Sequence, residues 1–381
     1  MRKLDFVYFD AGGGHRAAAN ALRQVMEQQE RRVDIRMVNL QELLDKLDVF
    51  RKVTGLRMED IYNTLLRKGW TLGSPQITVG MHLVIRLFHS QQVRVLADFW
   101  RKSRPDMVVS LVPNFNRAMG EALRTALPAV PFVTIITDIA DYPPHFWLER
   151  PVQHTFQHVI CGSDKAVAQA TELGYAPATV HRVSGMILNP RFYELAPLTP
   201  QARKQARAGL GLEPERPVGL VLFGGQGSSA MLNIAENLQD HQLMLICGHN
   251  EKLRAKLGAT AHRAPMFVEG FTKEVPHYMQ LADYFIGKPG PASISEAVAM
   301  RLPVIVECNA WTLPQERYNP EWVREQGVGV VLPNFRRIGR AVEELLEPGA
   351  FARFRAATEK LHNRAVFEIP DILEEILNAA G

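Results

Sequence analysis

The sequence predicts an α/β protein of two domains, each a parallel sheet covered by helices on both faces. Three observations predict it. Apolar runs of four to six residues, rich in Val, Ile and Leu, alternate with helical patterns along most of the 381 residues, as fully buried parallel strands require. The alternation breaks after Pro190, where Pro197, Pro200, Pro214 and Pro217 frame a charged helix over 201–209, and then restarts. Each half also carries a glycine-rich turn directly after its first strand, at 11–14 and at 224–227. The length favours two domains over one. The expected boundaries are 1–190 and 191–350, with a helical C-terminal segment, 351–381, that packs back across the domains.

In the first half the strands fall at 4–9, 33–39, 106–111, 132–137, 158–161 and 179–183, with helices expected at 17–29 and 164–173. In the second half the strands fall at 218–223, 243–247, 266–268, 284–287 and 304–307, with helices between them. Residues 41–104 interrupt the rhythm with short amphipathic helices and a longer one over 82–99. Leu83, Leu87, Val95 and Phe99 are its expected apolar side. From Arg51 to Arg104 there are ten Lys/Arg against three Asp/Glu. With Trp70, Met81 and Phe88 among them, this excess suits a patch lying against anionic lipid headgroups. The alternative is ordinary helix packing beneath a solvated charged face.

Composition excludes several classes. The 46% apolar and 22% charged content is that of a globular protein. Cys161, Cys247 and Cys308 are odd in number and far apart, against a disulfide framework or a cysteine-based zinc site. The twelve histidines show no H-E-x-x-H spacing, so no metal is expected. No apolar run reaches the roughly 20 residues of a membrane span. A net charge of +4 without a recognised motif argues against nucleic acid.

Three stretches carry candidate chemistry. Asp10-Ala-Gly-Gly-Gly-His15-Arg16 lies where a strand hands over to a helix. Glycines there admit close approach of a ligand, and His15 sits where a proton acceptor reaches into a cleft. The spacing matches neither G-x-G-x-x-G nor G-x-x-x-x-G-K-S/T. Gly224–Ser229 forms a nest for phosphate or carboxylate. In Lys288-Pro-Gly-Pro-Ala-Ser-Ile-Ser-Glu296, a helix start can hold a diphosphate while Glu296, one turn in, can accept both hydroxyls of a ribose; the alternative is a capped helix with a solvent-facing glutamate. The loop 309–319 adds Gln315, Glu316 and Asn319, polar groups suited to sugar hydroxyls. Asp138 and His145 are placed on the facing wall, Asp138 alternatively capping a turn.

The order G-G-G-H-R, T-D at 137–138, G-G-Q-G at 224–227, C-G-H-N at 247–250, G-F at 270–271 and K-P-G-P-A-S-I-S-E-A at 288–297 resembles the monogalactosyldiacylglycerol synthase family. More distantly, it resembles MurG-like enzymes. The resemblance implies the GT-B fold, two Rossmann-like domains facing across a cleft. It implies inverting transfer of a hexose from a UDP-sugar to a lipid hydroxyl, with diacylglycerol the leading acceptor and no metal or other cofactor. His15 becomes the general base. Gly225, Phe271, Pro289, Gly290, Ser293, Glu296, Gln315 and Glu316 become donor-binding, with Phe271 at the uracil. Gly13, Gly14, Asp138 and His145 fall on the acceptor side. Residues 51–104 become a contact with anionic membrane, placing a peripheral protein on the cytoplasmic face of the inner or plasma membrane.

The chain departs from the family pattern in three places. K-x-G-P-G-T becomes K-P-G-P-A-S, T-D-x-x-x-x-H-P-x-W becomes T-D-I-A-D-Y-P-P-H-F-W, and G-Q-E-x-G-N becomes P-Q-E-R-Y-N. The last change bears on which sugar is taken and leaves galactose, glucose, glucuronic acid and N-acetylglucosamine open. The rivals are a MurG-like transferase with a polyprenyl-linked or other acceptor, a UDP-sugar epimerase of the same fold, and a non-enzymatic sugar-nucleotide sensor.

Overall fold

A computed structural model describes residues 1–10, 14–44, 85–142, 146–152 and 156–380. Gly13, His145 and the greater part of the basic segment 51–104 lie outside these residues. The chain divides into two compact units, one of residues 1–190 with 364–381, the other of residues 191–363.

The first unit holds a six-stranded, wholly parallel sheet of β1 (Arg2–Tyr8), β2 (Val33–Asn39), β3 (Met107–Ser110), β4 (Phe132–Ile135), β5 (Gln157–Cys161) and β6 (Val180–Arg182). Their order across the sheet is β2-β1-β3-β4-β5-β6. The second unit repeats the plan with β7 (Val218–Leu222), β8 (Gln242–Ile246), β9 (Met266–Glu269), β10 (Tyr284–Gly287), β11 (Val304–Glu307) and β12 (Gly329–Leu332). Their order is β12-β11-β10-β7-β8-β9, again all parallel.

The strands read as continuous apolar runs because successive side chains enter different cores. Val218, Leu220 and Leu222 of β7 pack into one cluster, and Val221 into the cluster on the opposite face. Met244 and Ile246 of β8 join the first, Leu243 and Leu245 the second. Strand periodicity of two, with both faces covered by helices, favours apolar side chains at nearly every position, and the buried polar ones, such as Gln242 of β8, are hydrogen-bonded.

Each sheet reverses its winding once, between β1 and β3 in the first unit and between β7 and β10 in the second. Diverging connections at such a point leave a crevice beyond the carboxyl ends of the strands, where ligands of open α/β sheets bind. The turns singled out in the sequence follow β1, β7 and β10.

Two elements differ from expectation. In the helix His89–Ser103 the buried face is Gln92, Leu96, Ala97 and Trp100, while Leu87 is 71% exposed. The buried face is rotated from the predicted stripe: Leu96, Ala97 and Trp100 share a core cluster with Met119, Ala122 and Leu123, and Phe99 of the predicted stripe packs at its edge. The C-terminal segment splits: Pro348–Glu359 stays with the second unit, and Ala365–Ala380 returns to the first. There it buries Val366, Ile369, Leu373, Ile376 and Leu377, and Arg31 pairs with its Asp371 and Glu374.

Candidate active site

In the first unit a helix spans Gly14–Gln28, starting three residues earlier than the sequence suggests, so His15 occupies its first turn. Gly14 is exposed, with open space where a side chain would stand. The His15 ring is partly buried, and Nδ1 lies 3.2 Å from Oγ1 of Thr137, just beyond β4. Its other neighbour is the indole of Trp147, ring centroids 5.6 Å apart and planes at 60°. Desolvation alone pushes the imidazole pKa down to about 4, so the ring is neutral throughout the physiological range.

Trp147 is a built element. Its indole N–H donates to Asp138 Oδ2 at 2.7 Å, its backbone N–H to Asp141 Oδ1 at 2.6 Å, and its carbonyl accepts from the buried Asn116 amide at 2.8 Å. Asp138 is itself buried. The wall that the sequence assigned to Asp138 and His145 is therefore presented, among the described residues, by Trp147, with Asp138 behind it. The tryptophan of T-D…W was the available signal.

In the second unit the turns at the switch point interlock. Gly224, Gly227 and Gly248 have φ of +73°, +61° and +59°. A Cβ on Gly248 would come within 2.2 Å of the Gly225 carbonyl oxygen, so only glycine fits there. That carbonyl accepts the His249 N–H at 2.8 Å. The His249 ring stacks on Phe271, centroids 4.0 Å apart and planes at 15°, and both side chains are exposed. An exposed stacked pair at strand ends is a platform for a planar base.

After β10, Lys288 projects between the glycine turns. Its Nζ donates to Oε1 of the buried Glu316 at 3.0 Å, and a Cβ on Gly290 would sit 3.2 Å from its Cε. Gly290 begins the helix Pro291–Ala299 with no side-chain cap, so its first N–H groups are free for an anion. Pro289 is fixed through its carbonyl by the buried Asn319 amide at 2.8 Å. Ser293 is buried at the helix start. Glu296 has its pKa raised to about 7 by desolvation alone: its carboxylate gains from any ligand that donates hydrogen bonds. Gln315 and Glu316 share the short turn Pro314–Glu316.

Thus Gly225, Pro289, Gly290, Ser293, Glu296 and Glu316 lie on the segments that follow β7, β10 and β11, and Phe271 follows the edge strand β9, while His15 and Asp138 lie beyond the ends of β1 and β4 in the other unit. Thr137, Trp147, His249 and Lys288 were not singled out as site residues in the sequence. Lys288 was within reach, since it lies in a quoted motif; Asn319, read there as a group for sugar hydroxyls, donates its amide to the Pro289 carbonyl.

No helix among the described residues is long and apolar enough to cross a membrane. Of the basic segment, Arg86, Arg94, Arg101, Lys102 and Arg104 are described. Arg86 and His89, with Arg117, Glu121, Arg124, Glu149 and Arg150, line a cavity of about 920 Å³ in the first unit, in which Glu121 pairs with His89 and Arg117.

Comparison with solved structures gives the fold its name. The chain superposes on MurG of Acinetobacter baumannii with a TM-score of 0.60, covering 98% of this chain and all of that one at 11% identity. It superposes on the calicheamicin glycosyltransferase CalG4 with a TM-score of 0.63, covering 99% and 98% at 18% identity. The fold is GT-B. These identities carry the fold alone. A UDP-N-acetylglucosamine 2-epimerase from Listeria monocytogenes shares the same GT-B architecture at a TM-score of 0.57, covering 95% and 92% at 14% identity.

Sequence likeness narrows the choice. The chain is 29% identical to a monogalactosyldiacylglycerol synthase 2 of Oryza sativa subsp. japonica over 361 residues, 87% of this chain and 71% of the rice protein. It is 27% identical to the monogalactosyldiacylglycerol synthase of Spinacia oleracea over 401 residues, 97% of this chain and 71% of that one. No family model matches it. In sequence, therefore, this GT-B protein resembles glycosyltransferases, and among them the monogalactosyldiacylglycerol synthases.

Proposed function

We propose that this protein is an inverting glycosyltransferase that moves a hexose from a UDP-sugar to the hydroxyl of a lipid, with diacylglycerol as the acceptor. The observation that carries this reading is the likeness to monogalactosyldiacylglycerol synthases along nearly the whole chain, because the fold is shared with an epimerase. The second unit holds the donor: uracil against Phe271 and His249, ribose hydroxyls on Glu296, diphosphate at the helix start with Lys288, and the sugar toward Gln315 and Glu316. The first unit supplies His15 as the base.

The chemistry follows from these groups. The acceptor hydroxyl gives its proton to His15 as its oxygen bonds to the anomeric carbon. The bond from that carbon to the diphosphate breaks, and the electron pair leaves on UDP. Free helix N–H groups and the Lys288 ammonium stabilise the growing negative charge. A single displacement inverts the anomeric configuration. The chain's own cationic and N–H groups supply the electrostatics, so no metal is invoked.

Membrane contact belongs to the same proposal. The basic segment 51–104 and the arginine-lined cavity bring the protein to anionic lipid, where a water-insoluble acceptor resides.

The test is purified protein with diacylglycerol in mixed micelles and a panel of UDP-sugars, with products read by mass spectrometry and their anomeric configuration by NMR. A β-linked glycolipid from an α-linked donor is the expected product. A glycosylated polyprenyl-linked acceptor in a parallel reaction, with none from diacylglycerol, would move the assignment to a MurG-like transferase. An epimerised UDP-sugar would replace it.

A further inference from the structure

The residue pair Thr137-Asp138 after β4 invites Asp138 as the carboxylate that orients His15, but the side chains divide otherwise. Nδ1 of His15 lies 3.2 Å from the Thr137 hydroxyl. The Asp138 carboxylate accepts the Trp147 indole N–H at 2.7 Å, and that indole packs on the imidazole. We propose that Thr137 is the positioning residue of the base: its hydroxyl accepts the Nδ1 proton, fixing the tautomer in which Nε2 carries the lone pair that faces the acceptor. This rests on the reading of His15 as base.

The choice of a hydroxyl has a chemical consequence. A neutral imidazole has one N–H and one lone pair, and the partner of one nitrogen decides the role of the other. A carboxylate at Nδ1 would fix the same tautomer and also stabilise the imidazolium, raising the pKa. A hydroxyl adds no charge, and it selects this tautomer when its own proton is given to another acceptor, leaving its lone pair for Nδ1–H. Desolvation then dominates and holds the ring at about 4. Trp147, pinned by Asp138, Asp141 and Asn116, walls the ring on a second side. In the step itself the acceptor proton passes to Nε2, the acceptor oxygen bonds to the anomeric carbon, and UDP departs with the electron pair of the broken bond. The imidazolium afterwards releases its proton to water. Thr137 keeps the Nδ1 proton throughout and is not consumed.

Two measurements test this. The first needs no turnover: long-range proton–nitrogen NMR on histidine-labelled protein, with the His15 signals assigned by their loss in His15→Gln. The wild type should show Nδ1 protonated and no titration between pH 5.5 and 8, whereas Thr137→Val should populate the other tautomer. An Nε2-protonated ring in the wild type, or a spectrum unchanged in Thr137→Val, overturns the proposal. The second uses UDP-galactose with diacylglycerol micelles. Thr137→Val should lower kcat roughly ten- to hundredfold, a part of the effect of a general base, with KM for UDP-galactose unchanged. Thr137→Ser should restore it, and Thr137→Asp should move the acid limb of kcat upward by about a unit or more. Equal activity of Thr137→Val and wild type, or equal impairment of Thr137→Ser, overturns the proposal. If the wild type itself makes no glycolipid, the base reading fails at that point, and the NMR result still decides which nitrogen the hydroxyl holds.

Discussion

Desolvation acts in opposite directions on His15 and Glu296. It removes a proton from the histidine, whose pKa falls to about 4, and returns one to the glutamate, whose pKa rises to about 7. His15 is neutral above about pH 4, so at saturating donor the acid limb of kcat should lie well below the 6.5 of a free imidazole. His15→Ala should lower kcat by roughly 10²–10⁴ with little change in KM for the donor, as removal of a general base does; undiminished turnover would remove His15 from the chemistry. Glu296 must be ionised to accept two ribose hydroxyls, and hydroxyl donors lower its pKa on binding. KM for the UDP-sugar should therefore rise as pH falls below about 7, with proton release on binding. In Glu296→Gln the amide oxygen still accepts, but this pH dependence should vanish. Folding gives an independent check. The folded pKa lies above the unfolded 4.5, so the folded state holds more protons between pH 4.5 and 7 and stability falls as pH rises through that window. Thermal melts of Glu296→Gln should accordingly gain on the wild type at pH 8 and not at pH 4.5.

At the scale of the element, the glycine turns show what spacing conveys and what it conceals. Buried strands were legible because both faces of each sheet demand apolar side chains, which leaves an unbroken Val/Ile/Leu run. Gly-rich turns were legible as turns. That Gly225 and Gly248 interlock was not, since their contact joins the ends of β7 and β8 and depends on a backbone carbonyl without sequence signature. The stacking of His249 on Phe271 follows from that contact. Thr137 and Trp147 were hidden for a related reason: the sequence offers Asp138 as a wall residue or a turn cap, while the fold gives its carboxylate to the indole. The helix around Trp100 offers two overlapping apolar stripes, one through Phe99 and one through Leu96 and Trp100, and the fold buries the second more fully. Gly248→Ala combines a positive φ, worth about 1–2 kcal/mol of strain, with a clash against the Gly225 oxygen. It should weaken UDP binding severalfold or more by calorimetry while circular dichroism stays native-like. Unchanged UDP affinity would detach this turn from the donor site.

At the scale of the whole molecule, two units with the same topology carry different equipment. The first has a neutral histidine beside a fixed tryptophan, and arginines around a cavity; the second has an exposed aromatic stack, a helix start without a side-chain cap, and a lysine. The helix Ala365–Ala380 ties the end of the chain back to the first unit through Arg31 and a row of buried aliphatics. The alternation and the two glycine-rich turns made two α/β domains legible before any geometry, and the order of the motifs, through the family it resembles, implied GT-B. The donor sugar was not legible, since the P-Q-E-R-Y-N loop departs from the pattern that would name it. Neutralising Arg51, Lys52, Arg57, Arg67 and Lys68 to glutamine should weaken cosedimentation with anionic liposomes at low salt, and raised salt should do the same to the wild type; binding indifferent to both would place the membrane contact elsewhere. The most direct test of the account is a single reaction: purified protein, diacylglycerol micelles and α-linked UDP-hexose, with the lipid product analysed by NMR. A β-linked hexosyl-diacylglycerol, lost in His15→Ala, is the predicted result; an α-linked product, or an epimerised nucleotide sugar with the lipid untouched, would contradict it.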